Sequence, residues 1–340
     1  MPTDPQRSVQ SIRDVARRAE VSVGTVSNVL NRPDRVSADT RERVRAAIQD
    51  LGFVRNGAAR ALRARDRRLV GAIVLDIANP FFTDVARGAE DELAASDRVL
   101  MLCSSDGDRD RAAHSIELLR EQALLGLLVT PTGDLTPLRA VASRGVPVVL
   151  LDRHAGARDF CSVAVDDVRG GRLAGDHLMQ RGHRRIGFVN GPSSTQACAD
   201  RRRGVRAAVR GAGGDPDADL VESVISPMNA DNGERAVDRL LELPRPVTAI
   251  ACMNDLVALG ALRALARAGV SVPDEIAVVG YDDLDFASML AVPLTSVRQP
   301  RYEIGRTAAQ LVVAESQDGP DHVHRQVRYQ PELAVRASSG

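Results

Sequence analysis

Acidic, amide and aromatic side chains follow several of the apolar runs beyond the first 68 residues. They comprise Asp76 with Asn79, Phe81 and Phe82; Asp152 with Arg153; Asp166 with Asp167; Asn254 with Asp255; and Tyr281 with Asp282 and Asp283. Carboxylates and an amide beside aromatic rings suit a polyhydroxylated or otherwise polar small molecule. Each Asp taken alone is better explained as a helix cap or a turn residue. The binding hypothesis therefore depends on a fold that brings the set together.

The apolar runs themselves are typical of buried strands. LVGAIVL, VLMLC, LLGLLV and VPVVLLD form a first series, and SVAV, RIGFV, TAIAC and IAVVG form a second that begins near Ser162. Amphipathic helical patterns separate them at residues 82–93, 109–122, 169–181, 201–211, 231–241 and 255–268. Repeated strand and helix alternation predicts parallel, doubly wound sheets, most simply two. Ligands of such sheets bind at the carboxyl ends of the strands, so the predicted site is a cleft between the two sheets.

The first 55 residues have a different pattern, that of three short helices. Apolar residues at helical spacing mark the inner faces of the three helices, namely Ile12, Val15, Ala16 and Ala19; Val26, Val29 and Leu30; and Val44, Ala47, Ile48 and Leu51. Ser22 and Ser37 are candidate N-caps, and Gly52 is a stop signal. The spacing predicts a helix-turn-helix whose outward face, from Val23 to Asn28, could enter a DNA major groove. Any other three-helix module would show similar spacing.

Charge favours nucleic acid over the alternative of a merely solvated basic face. Residues 1–68 hold 15 Arg against 8 acidic residues, although the whole chain has 45 of each sign. A basic head on an acidic body is typical of proteins that bind nucleic acid or an acidic partner. The sequence has no Lys, and guanidinium groups make forked contacts to phosphates and guanine edges.

A linker at residues 56–68 joins the head to the body at 69–340. It reads NGAARALRARDRR and contains one large apolar side chain, Leu62. A helix of about seven residues is unstable by itself in water, so folding on binding is the expected behaviour. A lone apolar side chain among arginines suits insertion between base steps in a minor groove. The alternative is a linker residue that packs on the body.

Other classes of protein are disfavoured by what the sequence lacks. It contains no GxSxG elbow, P-loop, HExxH motif or GxGxxG after a strand, so no enzyme activity, catalytic residue or cofactor is predicted. Four scattered cysteines favour buried reduced thiols over disulfides or a metal site. His322 and His324, in PDHVHRQ, favour a surface loop, and no metal ligand is predicted. No apolar run reaches the roughly 18 residues of a membrane span. The N-terminal MPTDPQRSVQ lacks a signal-peptide core, which predicts a cytoplasmic protein.

The residues add up to a family resemblance. SIRDVARRAEVSVGTVSNVLN, with VSADTRERVRAAIQDLGF and NGAARALR after it, resembles the head of LacI/GalR family bacterial transcription repressors. The similarity continues at NPFF, RGHRRIGFVNGP, RRRG, NDLVALGALRA, VPDEIAVVGYDD and PLTSVRQP, and so covers nearly the whole chain. It implies an all-α helix-turn-helix head and an α/β body similar to periplasmic sugar-binding proteins, with two doubly wound parallel-sheet subdomains. Three crossovers would assign about 69–162 and 293–325 to one subdomain, and about 163–292 and 326–340 to the other.

The resemblance also implies roles for individual residues. It implies that Val23, Gly24 and Asn28 contact bases. It implies phosphate contacts for Ser11, Thr25, Ser27 and Asn31, and a further groove contact for Arg35. Leu62 matches the hinge leucine that wedges into the operator centre, with Ala59 and Arg60 beside it in the minor groove. Phe81, Asp152, Arg201, Asn254 and Asp282 match effector-contacting positions.

Four positions depart from the family pattern. Many members carry Arg at the position of Asn28, so an adenine-type or weaker contact is expected in place of a guanine contact. Gly24 within a helix costs about 1 kcal/mol relative to Ala. Glu20 lies in a turn where Gly is frequent and is strained if its φ is positive. Met228 replaces an aromatic ring that often stacks on sugar, which makes a sugar effector less assured.

The sequence therefore predicts a homodimeric repressor that binds a pseudo-palindromic operator of double-stranded DNA. A small molecule in the cleft, a sugar or related polar metabolite, would control operator affinity. The alternatives are an activator or dual regulator of the same family with a non-sugar effector, and a solute-binding protein without DNA function. Whether the effector releases or recruits DNA stays open.

Overall fold

The structure is a computed structural model that describes residues 10–53, 67–153 and 159–340. The chain divides into two compact units, a head at 1–66 and a body at 67–340. None of the helices in the described ranges is both long enough and apolar enough to cross a membrane.

The head consists of three helices around a small apolar core. The helices are α1 (Ile12–Arg18), α2 (Val23–Asn31) and α3 (Ala38–Leu51), with a 3-10 turn at Pro33–Arg35. Ser11, Ser22 and Ser37 are the N-caps, each accepting a hydrogen bond from a backbone N–H in the first turn. The buried core is Val15, Ala16, Ala19, Val26, Val29, Val44 and Ala47. The predicted helix-turn-helix is confirmed, because the apolar spacing places these residues on facing helix sides.

Two backbone positions set the turns of the head. Gly52 ends α3 with a φ of 58°, in the left-handed region where glycine carries no steric cost. Glu20, in the turn between α1 and α2, has a φ of 55°. A side chain at such an angle costs about 1 kcal/mol or more, so the strain expected for a positive φ at Glu20 is present.

The first sheet of the body has six parallel strands in the order β11-β5-β4-β3-β1-β2. The strands are β1 (Leu69–Val74), β2 (Val99–Ser104), β3 (Leu124–Val129), β4 (Val148–Leu151), β5 (Cys161–Val165) and β11 (Gln326–Tyr329). Helices α4 (Pro80–Ala94) and α12 (Arg301–Asp318) contribute to one core against this sheet, and α5 (Arg109–Arg120) and α6 (Thr136–Ala142) contribute to the other. The sheet is therefore covered on both faces, which explains its continuous apolar strands.

The second sheet has the order β12-β10-β9-β8-β6-β7, parallel except for β12. Its strands are β6 (Ile186–Asn190), β7 (Leu220–Val224), β8 (Ala249–Cys252), β9 (Ala277–Asp282), β10 (Thr295–Arg298) and β12 (Glu332–Ala334). Its larger helices are α7 (Asp167–Gln180), α8 (Gln196–Gly211), α10 (Ala230–Leu241) and α11 (Asp255–Arg267), and the short α9 (Pro216–Asp219) precedes β7. Two doubly wound parallel sheets, as predicted, thus form the body.

Strand pairing moves the subdomain boundaries away from the expected ones. β5 lies wholly in the first sheet and pairs with β11, although residues 163–165 and 326–329 were expected in the second subdomain. β10 lies in the second sheet, although 293–325 was expected in the first subdomain. The chain crosses between subdomains only after each strand has paired along its length with its neighbours, because buried backbone N–H and C=O groups must be hydrogen-bonded.

Candidate functional site

The outward face of α2 presents the residues that the sequence assigned to base reading. Val23 is 42% exposed, and Gly24 and Asn28 are exposed as well. The Ser22 cap explains this orientation, because its Oγ accepts a hydrogen bond from the Thr25 N–H at 3.0 Å and fixes the start of the helix. The N-terminus of a helix is also the end that attracts phosphate.

The residues assigned to phosphate contacts are engaged within the head. Ser11 Oγ donates to Asp14 Oδ2 at 2.6 Å in a capping box that starts α1. Thr25 Oγ1 lies 2.9 Å from Ser22 Oγ, and Asn31 Nδ2 donates to Ser27 Oγ at 3.2 Å. These hydroxyls and amides are held in defined positions at the surface, which suits contact with a rigid partner.

Arg35 is exposed at the end of the 3-10 turn that follows α2. Ala59, Arg60 and Leu62, which the sequence assigned to the minor groove, lie outside the described residues, and so does most of the linker.

The carboxyl ends of strands from both sheets line one cavity in the body, with about 1100 Å³ of empty space that includes its open mouth. Its polar lining includes Asp76, Asn79 and Asp106 from the first sheet, and Ser194, Asn229 and Asn254 from the second. The cavity thus lies where the alternation of strands and helices predicted a ligand site. Carboxylates and amides on opposite walls can bind the hydroxyl groups of one molecule from two sides.

Asn254 is the predicted effector residue that lines this cavity directly. It is also the N-cap of α11, with Oδ1 accepting from the Val257 N–H at 2.8 Å. Its Nδ2 donates to the Met228 carbonyl at 3.2 Å, and Met228 lines the cavity where family members often place a ring. The Asn254 side chain can therefore cap the helix and still line the cavity.

Arg201 is not among the residues that line this cavity and is only 3% exposed. Its Nε donates to Asp167 Oδ1 at 2.8 Å, and its Nη1 donates to the Met253 carbonyl at 2.7 Å. Its guanidinium carbon lies 3.5 Å from the centroid of the Tyr281 ring, whose hydroxyl donates to the same Asp167 oxygen at 2.8 Å. A buried charge with this many partners is held at a single position.

Asp152 and Asp282 complete the charged cluster around Arg201. Both have a positive φ, 51° for Asp152 and 106° for Asp282, and such strained backbone is concentrated at functional sites. Burial raises the pKa of Asp282 to about 6, opposed by the Arg201 charge and by the hydrogen bond from Gln299 Nε2 at 2.7 Å. Burial, with the nearby Asp167 charge, also raises the pKa of Asp152. The cluster has more carboxylates than cations, so it favours a ligand that donates hydrogen bonds.

Phe81 lies in the apolar core under the first sheet and is 4% exposed. It meets the ring of Phe82 edge to face, with centroids 5.0 Å apart, and Phe82 lines the cavity. The sequence missed Asp106, Arg109, Thr132, Ser194, Thr195 and Asn229 as lining residues. They follow strands β2, β3, β6 and β7, so the strand-end rule that selected the other residues applies to them as well.

Comparison with known proteins covers both units of the chain. The family described as periplasmic binding proteins and sugar binding domain of LacI family matches residues 67–332, and that of bacterial regulatory proteins, lacI family, matches residues 11–56. The HTH-type transcriptional repressor PurR of Aliivibrio fischeri is 32% identical over 337 residues, which is 96% of this chain and 98% of that protein.

Two solved structures extend the similarity to the fold. The lac repressor dimer bound to operator and the anti-inducer ONPF has a TM-score of 0.83 at 26% identity, covering 98% of this chain and 99% of that one. A LacI family transcriptional regulator from Enterococcus faecium with bound ribose has a TM-score of 0.73 at 28% identity, covering 79% of this chain and 98% of that one. The chain therefore belongs to the LacI family of bacterial regulatory proteins.

Proposed function

We propose that this protein is a transcriptional repressor that binds a pseudo-palindromic operator as a homodimer and changes its operator affinity when a small polar molecule occupies the body cavity. The observation that carries the proposal is the presence, on one chain, of a helix-turn-helix with an exposed reading face and a cavity lined by the polar strand ends of both sheets. Family membership supports DNA binding and repression.

The reading face of α2 would recognise bases through Val23 and Asn28. Valine offers an apolar contact to a thymine methyl group, and asparagine can bond both N6 and N7 of adenine. Gly24 adds no side chain, and Ser11, Thr25, Ser27 and Asn31 would contact the DNA backbone. Arg35 would add a groove contact that also brings its charge next to the phosphates. A face with so few strong base contacts leaves much of the specificity to the hinge, through Ala59, Arg60 and Leu62, and to DNA deformability.

The effector we infer is a sugar or a related polyhydroxylated metabolite. The supporting feature is the cavity wall, where Asp76, Asp106, Asn229 and Asn254 offer acceptors and donors for hydroxyl groups. The relative from Enterococcus faecium, whose structure contains ribose, supports the same class. Phe81, Asp152, Arg201 and Asp282 are not among the residues that line this cavity, and we propose that they act on the effector through the shape and charge of the site.

Coupling between the two sites would follow from where the cavity lies. A ligand that contacts strand ends of both sheets favours one relative arrangement of the two subdomains over another. If that arrangement also sets the spacing of the paired hinges, effector and operator each change the affinity of the protein for the other by the same factor.

Dimer formation is supported by the edge of the first sheet. β2 is an edge strand in which Val99, Met101 and Leu102 are 63%, 41% and 38% exposed. Apolar side chains on an exposed strand edge are a liability unless a partner covers them. A second copy of this chain is the proposed partner, and the resulting DNA-bound dimer would act in the cytoplasm, where bacterial DNA lies.

The decisive experiment measures operator binding and effector binding on the full chain. DNA fragments flanking its own gene are screened by fluorescence anisotropy, and sugars, polyols and nucleobases are screened by thermal shift. We expect a dimer that binds one fragment at salt levels where random DNA is released, and a hydroxyl-rich compound that shifts this affinity.

The variant Asn254→Asp sharpens the effector test. It retains a side chain that caps α11 well but replaces the amide donor, which bonds the Met228 carbonyl beside the cavity, with a carboxylate oxygen. We expect normal operator binding with effector affinity weakened at least about tenfold, the loss of one buried hydrogen bond. Unchanged effector affinity in this variant would place the effector elsewhere, and thermal-shift hits only among nucleobases would favour the non-sugar alternative.

A further inference from the structure

Four side chains with metal-binding atoms converge at the edge of the first sheet, away from the residues that line the cavity. They are Cys161 at the start of β5, Glu315 near the end of α12, and His322 and His324 in the segment that leads into β11. One potential ligand atom from each lies within 4.8 Å of all the others. Nothing in the head or the cavity uses these residues.

The distances within the cluster are close to those of a tetrahedral site. Cys161 Sγ lies 3.2 Å from His322 Nε2 and 3.8 Å from His324 Nδ1. His324 Nδ1 lies 3.9 Å from the nearer Glu315 carboxylate oxygen, Oε2. Zinc bonds of about 2.0–2.3 Å to nitrogen, oxygen and sulfur imply ligand separations of about 3.3–3.6 Å in a tetrahedron. These three separations are within about 0.6 Å of those values, and the other three are at most 4.8 Å, so modest side-chain movements would bring all four atoms to a metal ion.

The surroundings of the cluster are those of a ligand set. Cys161 is fully buried, and the side chains of His322 and Glu315 are only 5% and 13% exposed. His322 Nδ1 bonds Asp318 Oδ2 at 2.8 Å, which leaves Nε2 directed at the thiol. A carboxylate that orients a histidine in this way is the usual partner of a metal-bound imidazole.

Two polar atoms are poorly explained by packing alone. Glu315 Oε2 is buried and finds no hydrogen-bond donor of good geometry among the described residues. The backbone N–H of Arg325 donates to Cys161 Sγ at 3.3 Å, so the sulfur accepts a hydrogen bond from outside the set of four side chains. A hydrogen-bonded thiol pocket would account for the Cys161 and His322 pair but would leave Glu315 Oε2 without a donor of good geometry among the described residues. A divalent cation would neutralise both the thiolate and the carboxylate.

We propose that this protein binds one Zn²⁺ ion, through Cys161, Glu315, His322 and His324. A thiolate and two imidazoles select a borderline metal such as zinc over calcium or magnesium, which prefer oxygen ligands. The ion would join β5, the end of α12 and the approach to β11, three segments that the sequence separates by up to 163 positions. It would stabilise the body by tying the last helix to the outer strands of the first sheet.

The test uses the untagged full chain, freed of metal with a chelator and titrated with Co²⁺ and then Zn²⁺. We expect a one-to-one Co²⁺ complex whose absorption shows tetrahedral ligand-field bands and a thiolate charge-transfer band, both lost when Zn²⁺ displaces the cobalt. We also expect the Tm of the body to rise with Zn²⁺, because a metal that binds the folded state stabilises it.

Matched variants decide whether these residues are the ligands. Cys161→Ser and His322→Gln should abolish the tetrahedral spectrum, while Asp318→Asn should weaken Zn²⁺ binding by about 10- to 100-fold. Cys103→Ser removes a thiol outside the cluster and should leave the spectrum and affinity unchanged. If Cys161→Ser does not fold, the test uses His324→Gln, a substitution at a partly exposed position. This variant should lose affinity for Zn²⁺ while it keeps the circular dichroism spectrum of the folded protein. An octahedral cobalt spectrum, or wild-type affinity in the folded variants, would overturn the proposal.

Discussion

Single residues in the body carry more than one task, and Arg201 shows this most clearly. Its charge is paired with Asp167, its Nη1 bonds the Met253 carbonyl, and its guanidinium carbon lies 3.5 Å from the Tyr281 ring centroid. Removing such a side chain would leave Asp167 buried without its cation, which costs about 3–5 kcal/mol. Loss of function at Arg201 would therefore mix effector binding with stability, and Asp282 is the better residue to test.

The neutral variant Asp282→Asn should make the body more stable at neutral pH. The folded-state pKa of Asp282 is raised to about 6 by burial, with Arg201 and Arg301 opposing and Asp167 reinforcing the shift. A raised carboxyl pKa gives stability that is complete below the unfolded pKa, near 4, and is lost as the pH rises through 6. At pH 8 the variant should exceed the wild type by on the order of 3 kcal/mol.

Urea unfolding of both proteins between pH 3.5 and 8, sampled at steps of about 0.5, measures this effect. The advantage of Asp282→Asn should shrink to nothing below about pH 4. Asp274→Asn, at an exposed position, is the matched control. A difference between Asp282→Asn and the wild type that does not change with pH would contradict the buried, proton-linked role.

Helices α4 and α12 pack against each other at very short range because glycines lie at their contact. Gly88 on α4 faces the Tyr302 carbonyl of α12, and Gly305 on α12 faces the Val85 carbonyl of α4. A Cβ at either glycine would overlap the opposing backbone oxygen. This contact positions α4, whose N-cap Asn79 lies at the cavity, so helix packing and cavity shape are linked at the scale of the element.

The substitution Gly305→Ala should therefore destabilise the body. We expect a loss of about 2 kcal/mol in the free energy of unfolding, because overpacking of a close contact forces backbone shifts. Gly211→Ala, at the end of α8 where a Cβ meets nothing within 4 Å, is the control and should be neutral or stabilising by up to about 1 kcal/mol. Chemical denaturation measures the free energy of unfolding of both variants and of the wild type. If Gly305→Ala is as stable as the wild type, α4 and α12 can separate at little cost.

At the scale of the whole molecule, net charge distinguishes the head from the body. The first 68 residues carry 15 Arg against 8 acidic residues, and the remainder has an equal acidic excess because the chain is neutral overall. An acidic body is repelled by DNA, whereas a basic head is attracted. The arrangement favours approach of the head to DNA.

Operator affinity should accordingly fall steeply with salt, and Arg35→Ala should reduce that slope. Each phosphate contact releases a counterion and contributes about 0.9 to the slope of log K against log salt, so a dimer losing two arginines should lose about 2. Arg120→Ala, exposed on α5 of the body, is the control. Anisotropy titrations at several salt concentrations measure this slope for each protein. A slope unchanged by Arg35→Ala would show that this side chain does not contact phosphate.

Patterns along the chain were enough to predict the local elements and the fold class. Capping serines, the Gly52 stop and the apolar spacing predicted the three head helices, and the predicted body helices at 109–122 and 255–268 agree with Arg109–Arg120 and Asp255–Arg267. Such features depend on neighbours within one or two turns, which the sequence shows directly. Asn254 was found in the same way, as a polar residue at the end of a strand.

Which distant residues meet followed only from the three-dimensional fold. It placed β10 in the second sheet, buried Phe81, Arg201 and Asp282, and brought Cys161 next to His322 across 161 positions. The sequence predicted no metal ligand and a surface loop at His322 and His324, because nothing in their spacing pairs them with a cysteine. Long-range proximity depends on strand order and register, which local patterns do not contain.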